Sequence, residues 1–361
     1  MNIRYALLPL AGLLCFSAYA AQYDAVVVPQ QDGQSQHYTK IAQAVAAAKT
    51  SGKEHYKIYI KDGVYNEKFE INAPGVELIG QDRDKTVIEY NAASGMSRPD
   101  GKHWGTTGSF VVRVNANDVV LKNLTVKNSF DYPTNDEKPK SDPTKIRSSQ
   151  AVAFEINQKA QHVKVENVVM DGYQDTLFVK AGSTSYFKDC VVAGNVDFIF
   201  GGGTAVFDHC KVIARKRTIP TSPMGYITAP STDISQPYGL VFFHSEIVKE
   251  QGVPKDSFGL GRPWHPTRTF KDGRYADPNA IGATLYIDSY LGDHLFGWDK
   301  MSGWTKDHER QWFYPDKDAR FLGYHNYGPG ASSIKGAHKL SDSQAKGITI
   351  EKILGGDWFK A

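Results

Sequence analysis

Two carboxylates and two carboxamides recur in this chain at nearly one interval. Asp175, in GYQDTL, precedes Asp197, in GNVDFIFG, by 22 residues, and Gln150 precedes Gln174 by 24. Two acids held close together rarely ionise together, so one keeps its proton while the other is a carboxylate. An ionised aspartate can attack an ester carbonyl. Its protonated neighbour can donate to the tetrahedral oxygen or the leaving alcohol and then act as base for water. Glutamine amides supply N–H donors for a developing oxyanion. Arg262, in GLGRPW, can keep Asp197 charged through a bidentate pair, and Phe200 and Trp264 offer flat apolar surfaces for sugar rings. Each residue also has a structural reading, the acids as members of side-chain stacks, Arg262 as a loop-pinning ion pair, the rings as core. Their joint placement one period apart favours a site.

Acids 22 residues apart become neighbours only if the backbone winds back over itself at that interval. Residues 165–213 behave that way. Asn167, Asp189 and His209 fill look-alike slots (VENVV, FKDCV, FDHCK) separated by 22 and 20 residues, and Asn123 in LKNLTV lies two periods before Asn167. Strand-rich self-similarity at this period marks a solenoid, and an all-β, right-handed parallel β-helix fits best. Neighbouring coils lie about 4.7–4.9 Å apart, so Asp175 and Asp197 should face the same way on adjacent coils, with Gln150 beneath Gln174.

The remaining elements follow from local signals. The stretch 39–49 (TKIAQAVAAAK) reads as an amphipathic helix with Thr39 as N-cap, closing the open end of the column. Strands then follow as YKIYI, KFEI, VELIG, TVIEY, SFVVRV and DVVLKNLTV. Three long polar excursions, at 128–149, 218–237 and 250–282, should wall a cleft on one side. A late helix over 341–353 should pack outside. No linker composition divides residues 21–361, so they form one domain.

Residues 1–20 read as a secretory signal: Arg4, an apolar run from Ala6 to Phe16, and Ala18-Tyr19-Ala20 for cleavage. The run is short for a membrane span, and Cys15 lacks the small preceding residue of a lipid anchor. The expected location is extracellular or periplasmic. In that oxidising setting Cys190 and Cys210, in equivalent slots, should form a disulfide, the alternative being two buried thiols. A net charge of +3 over 361 residues argues against a nucleic-acid partner, although Lys211, Arg215, Lys216 and Arg217 would suit an acidic substrate. The eleven histidines are scattered, with no H-E-x-x-H, and the chain has no Cys-x-x-Cys. No metal or cofactor is expected, and His209 reads as a structural coil residue. A solenoid needs no second chain to complete its core, so a monomer is expected.

The runs GYQDTLFV, GNVDFIFGGGTAVFD, LGRPW and YHNYGPGA, in that order, closely resemble the pectin methylesterases (pectinesterases), particularly secreted bacterial members. The resemblance covers most of the mature chain. It implies a metal-free carboxylic ester hydrolase that demethylates polygalacturonate, an acidic polysaccharide, on a right-handed parallel β-helix. It further implies Asp197 as nucleophile, Asp175 as general acid and later base, Gln174 and Gln150 as oxyanion donors, and Arg262 as the residue orienting Asp197. Trp264, Thr106, Val196, Phe200, Arg217, Thr267 and Met301 would contact substrate. HPTRTF after Trp264 and the GTTGS run depart from common forms, which bears on subsite preference. Without the resemblance, two acids about 5 Å apart would equally suit a retaining glycosidase, and a non-catalytic carbohydrate-binding solenoid stays open. A lyase would want a dense calcium-binding acid cluster that these motifs lack.

Overall fold

From Val163 the chain traces one path and then repeats it. Strand Val163–Glu166 turns at Asn167 into Val169–Asp171, bends through residues 172–176 into Leu177–Val179, and returns as Thr184–Lys188 directly over Val163–Glu166. In this computed structural model, which describes residues 22–360, coils of this kind stack into three parallel sheets of 11, 8 and 7 strands. Each sheet advances by one strand per coil, giving a right-handed parallel β-helix as expected. Two antiparallel hairpins, Thr267–Phe270 with Gly273–Ala276 and Met301–Trp304 with Arg310–Phe313, project from the column. The proposed signal, residues 1–20, lies outside the described residues. No helix among the described residues is long and apolar enough to cross a membrane.

The look-alike slots are the corner between the first and second sheets. Asn123, Asn167, Asp189 and His209 all take the left-handed conformation, with φ of 54°, 51°, 53° and 53°, and His244, Asp288 and His325 continue the row at 48° each. Asn, Asp and His are the non-glycine residues that tolerate this backbone best. The recurring polar letter therefore records a backbone requirement before any side-chain role. The Asn167 amide also donates to Asn123 Oδ1 at 2.8 Å, tying two coils.

Inside the column the strand register of the first sheet stacks rings. Phe187, Phe207, Phe242 and Tyr286 sit face to face at 4.8, 4.5 and 4.6 Å between successive centroids. Cys190 and Cys210 stack one step away, but as two free, buried thiols; the expected disulfide is not formed. In-register coils point both Cβ atoms the same way at a spacing near 4.8 Å, wider than the roughly 3.8 Å a bridge prefers. Each sulfur instead lies against carbonyl oxygens, Cys190 on Lys188 at 3.3 Å and Cys210 on Phe187 at 3.4 Å.

The capping helix is Ile41–Ser51, burying Ile41, Ala44, Val45 and Ala48 over the end of the column. Its N-cap is Lys40, not Thr39, and carries no side-chain cap. The Glu67 carboxylate does that work, accepting the Ile41 and Ala42 N–H groups at 2.8 and 3.0 Å, where the helix dipole favours negative charge. The late helix is two short ones, Asp342–Ala345 and Ile350–Leu354, each capped by its own hydroxyl, Ser341 and Thr349. Gly347 between them is left-handed at φ 89° and breaks the run. Ile353 and Leu354 then cover the outside of the first sheet beside Tyr186, Val206 and Val241.

Candidate active site

Asp175 and Asp197 occupy the bend that leads into the third sheet. Leu177 pairs with Ile199, and two residues earlier the same register sets the two aspartates on adjacent coils. Both are left-handed, at φ 63° and 51°, and the Asp175 N–H donates to the Val196 carbonyl at 3.1 Å. The bend is tight: a Cβ on Gly194 would lie 2.3 Å from Phe198 Cβ and 2.6 Å from the Tyr173 carbonyl. Gly194 is what lets these coils close with the acids side by side.

The two carboxyls differ sharply in company. Arg262 grips Asp197 with two parallel bonds, Nε to Oδ1 at 2.8 Å and Nη2 to Oδ2 at 2.6 Å, an arrangement that requires the carboxylate form. Burial by itself would lower the Arg262 pKa, but the Asp197 charge outweighs it and the pKa rises. Asp175 has no such partner among the described residues. Burial, and then the Asp197 charge beside it, hold its carboxyl well above the usual carboxylate range, with Arg262 offsetting only part. The geometry thus places the charge on Asp197 and favours the proton on Asp175.

Arg262 is itself held in place. Its guanidinium lies over the Tyr226 ring, 4.0 Å from the centroid, and the Tyr226 hydroxyl donates to Asp299 Oδ2 at 2.7 Å. This chain, Asp299 to Tyr226 to Arg262 to Asp197, was missed in the sequence, because Tyr226 and Asp299 carry no motif and lie 73 residues apart.

A cleft of about 270 Å³ opens over the pair, lined by Thr106, Thr107, Gln150, Gln174, Asp175, Phe178, Asp197, Phe200, Ala229, Trp264 and Met301. Eight residues singled out in the sequence thus come together. Phe178 and Phe200 are register partners stacked at 4.1 Å, with Trp264 tilted over them at 5.6 Å from Phe200. Phe178 stands 22 residues before Phe200, so the period that paired the aspartates would have found it. The Gln150 Oε1 is buried without a hydrogen-bond partner among the described residues, as expected of a polar group that faces a ligand.

Three expected contacts are not on the wall of this cleft. Val196 backs the bend through its carbonyl. Thr267 is exposed on its hairpin, paired with Ala276. Arg217 spends its charge on Asp136, with Nη2 to Oδ1 at 2.8 Å and Nε to Oδ2 at 3.2 Å, fastening the loop that contains the short helix Tyr132–Glu137. Away from the cleft, at the first corner, Asp208, His209 and His244 form a group of potential metal ligands within 4.8 Å of one another.

The pectinesterase family model matches residues 24–357. The chain belongs to the pectinesterase family. Pectinesterase A of Dickeya dadantii is 44% identical over 359 residues, covering 97% of this chain and 96% of the relative. Among solved structures, a pectin methylesterase in complex with a hexasaccharide superposes with a TM-score of 0.89 at 44% identity, covering 92% of this chain and 97% of the other. The pectin methylesterase from Yersinia enterocolitica gives 0.84 at 48% identity, covering 88% and 98%. The pectinesterase character thus extends over the whole column, both hairpins included, and the acid pair lies in the middle of the matched region.

Proposed function

We propose that this chain is a pectin methylesterase, a carboxylic ester hydrolase that releases methanol from methyl-esterified polygalacturonate. The observation that carries the reading is the pair of adjacent aspartates in unlike surroundings, one gripped by Arg262 and one buried beside it, inside a pectinesterase chain. Asp197 attacks the ester carbonyl carbon. The carbonyl oxygen becomes an oxyanion that accepts hydrogen bonds from the Gln174 and Gln150 amides. Asp175 gives its proton to the departing methoxide, which leaves as methanol, and an acyl–Asp197 anhydride remains. Asp175, now ionised, takes a proton from water as the water attacks that anhydride. Asp197 is released as a carboxylate and Asp175 is again protonated, so the cycle closes without a redox step or an external proton carrier. Phe178, Phe200 and Trp264 form the sugar-bearing wall, with Thr106 and Met301 at its edges. Arg217 orders the overhanging loop through Asp136 and presents no unpaired charge to substrate. With residues 1–20 acting as a leader, the enzyme works as a secreted monomer on polymer outside the cytoplasm.

Highly methylated pectin tests the reading directly. Methanol and acid should appear in equal amounts while reducing ends stay constant. A rise in reducing ends would mean chain cleavage by a glycosidase, and binding without either product would mean a carbohydrate-binding solenoid. The oxyanion assignment has its own check. Gln174→Ala should lower kcat by about 10²–10³-fold with little change in KM, because an oxyanion donor acts mainly at the transition state. A change confined to KM would remove Gln174 from that role.

A further inference from the structure

The hairpin Met301–Trp304 with Arg310–Phe313 has two unlike faces. Ser302 pairs with Trp312 and Trp304 with Arg310, and side chains alternate across a strand. Met301, Gly303 and Phe313 therefore point one way, and Ser302, Trp304, Arg310 and Trp312 the other. The inner face seats the hairpin: Phe313 is buried and stacks on His265 at 3.5 Å, Gly303 abuts Ala276, and Met301 lines the catalytic cleft. The outer face is open to solvent. Trp304 is 49% exposed, Trp312 41%, and Tyr314, next along the same face, 45%. Trp304 and Trp312 are the exposed tryptophans among the described residues.

Two cations sit among these rings. Lys300 Nζ lies 4.8 Å from the Trp312 centroid and 5.9 Å from Tyr314, and the Arg310 guanidinium lies 5.8 Å from Trp304 and 5.9 Å from Trp312. Neither cation is in an ion pair among the described residues, and the strand positions of this face carry no acidic side chain. Three large rings kept in water cost apolar exposure, and the two cations beside them are in no ion pair among the described residues, the Asp318 carboxylate nearby accepting the Tyr314 N–H at 2.6 Å instead. Together they are a binding surface for something both flat and anionic. A pyranose ring presents C–H groups to an aromatic face, and a galacturonate unit adds one carboxylate per sugar. A methylated unit has the ring but lacks the charge.

We propose that the outer face of this hairpin is a second polysaccharide-binding site, selective for the demethylated, free-carboxylate stretches of galacturonan. Trp304, Trp312 and Tyr314 receive the sugar faces, and Lys300 and Arg310 receive the carboxylates. Met301 places the site next to the catalytic cleft, so one polymer can occupy both. The identity of the sugar rests on the pectin methylesterase reading.

Binding is measured by affinity electrophoresis with polygalacturonate, highly methylated pectin and neutral galactan in the gel. All proteins carry Asp197→Asn so that the polymer is not turned over, and unfolding midpoints are recorded alongside. Two variants are added to this parent, Trp304→Ala with Trp312→Ala, and Lys300→Gln with Arg310→Gln. Each should weaken retardation by polygalacturonate about tenfold, and the parent's retardation should fall with added salt while that of the Lys/Arg variant falls less. Neutral galactan should not retard any of them. Unchanged retardation in both variants overturns the proposal. So does a loss confined to the tryptophan variant with a lowered unfolding midpoint, since the rings then only hold the hairpin together. Ring-dependent binding of polygalacturonate by a wild-type chain that releases no methanol would sink the esterase reading and leave this site standing. Methanol release with ring-independent binding would do the reverse.

Discussion

Asp197→Asn should reduce methanol release from methylated pectin by at least about 10⁴-fold, as removal of a nucleophile does in enzymes whose catalytic groups act as a unit. The amide keeps the shape of the carboxylate and can still accept one bond from Arg262, so the bend should persist. What it lacks is the charge: neutral Asn neither attacks the ester nor balances a guanidinium that is only 21% exposed. Stripping a buried ion pair of one partner typically costs about 3–5 kcal/mol, and partial exposure of Arg262 places this case toward or below the lower end. The unfolding midpoint should therefore fall by several degrees while the circular dichroism of the column is retained. Methanol production within tenfold of wild type, at full purity, would show that the attacking group is elsewhere. A further diagnostic is the intact variant's failure to trap an acyl intermediate from methylated substrate under acid quench.

The parts of this site that were legible in the sequence are those the coil period carries. Asp175 and Asp197, Gln150 and Gln174, and the corner row from Asn123 to His209 all stand at multiples of the stacking interval, so one-dimensional spacing translates directly into contact. Arg262 and Trp264 were legible through the LGRPW run alone: the expected excursions at 218–237 and 250–282 in fact carry strands Gly225–Pro230 and Phe258–Gly261 of the third sheet, in register with each other but separated in sequence by well more than the coil interval. Phe178 was legible and overlooked. Tyr226 and Asp299 were not legible, because Tyr226 lies on strand Gly225–Pro230 of the third sheet and Asp299 follows Trp298, which bridges Gly261 on the next strand, and the chain between them winds in coils of unequal length that no local signal encodes. Arg217 shows the opposite error. Its charge suited an acidic substrate in the sequence, but the partner that consumes it, Asp136, sits 81 residues away on a loop whose path spacing does not constrain. The cysteines show a limit of the periodic argument itself. Equal slots bring side chains near each other but also make them parallel, and parallel neighbours suit stacking better than bridging.

Asp175→Asn should abolish turnover and stabilise the protein at neutral pH. Turnover fails because Asn has no proton to give the leaving methoxide and no basic form to activate water, and removal of a general acid–base costs about 10²–10⁴-fold or more. The stability effect follows from the sign of the pKa shift. In the folded protein the Asp175 carboxyl titrates well above its unfolded value, because burial and the Asp197 charge disfavour its anion. The unfolded chain releases that proton near pH 3.9. Below that pH both states hold the proton and the group has no effect. Between the unfolded and the folded pKa, folding takes up a proton, so wild-type stability falls as pH rises, by up to about 1.4 kcal/mol per pH unit. Above the folded pKa the full penalty is present and constant. Asn carries neither proton nor charge and escapes the penalty throughout. The stability difference between Asp175→Asn and wild type should therefore be near zero around pH 4 and grow in favour of the variant toward neutrality. On the proposed mechanism the same ionisation should set the alkaline limb of wild-type activity, because an Asp175 anion in the free enzyme could not act as the acid. Denaturant melts of both proteins across pH 4 to 8, read beside the wild-type pH–rate profile, check both halves at once. A stability difference that does not change with pH would mean that Asp175 is not held protonated, and the division of labour between the two aspartates would then have no physical basis.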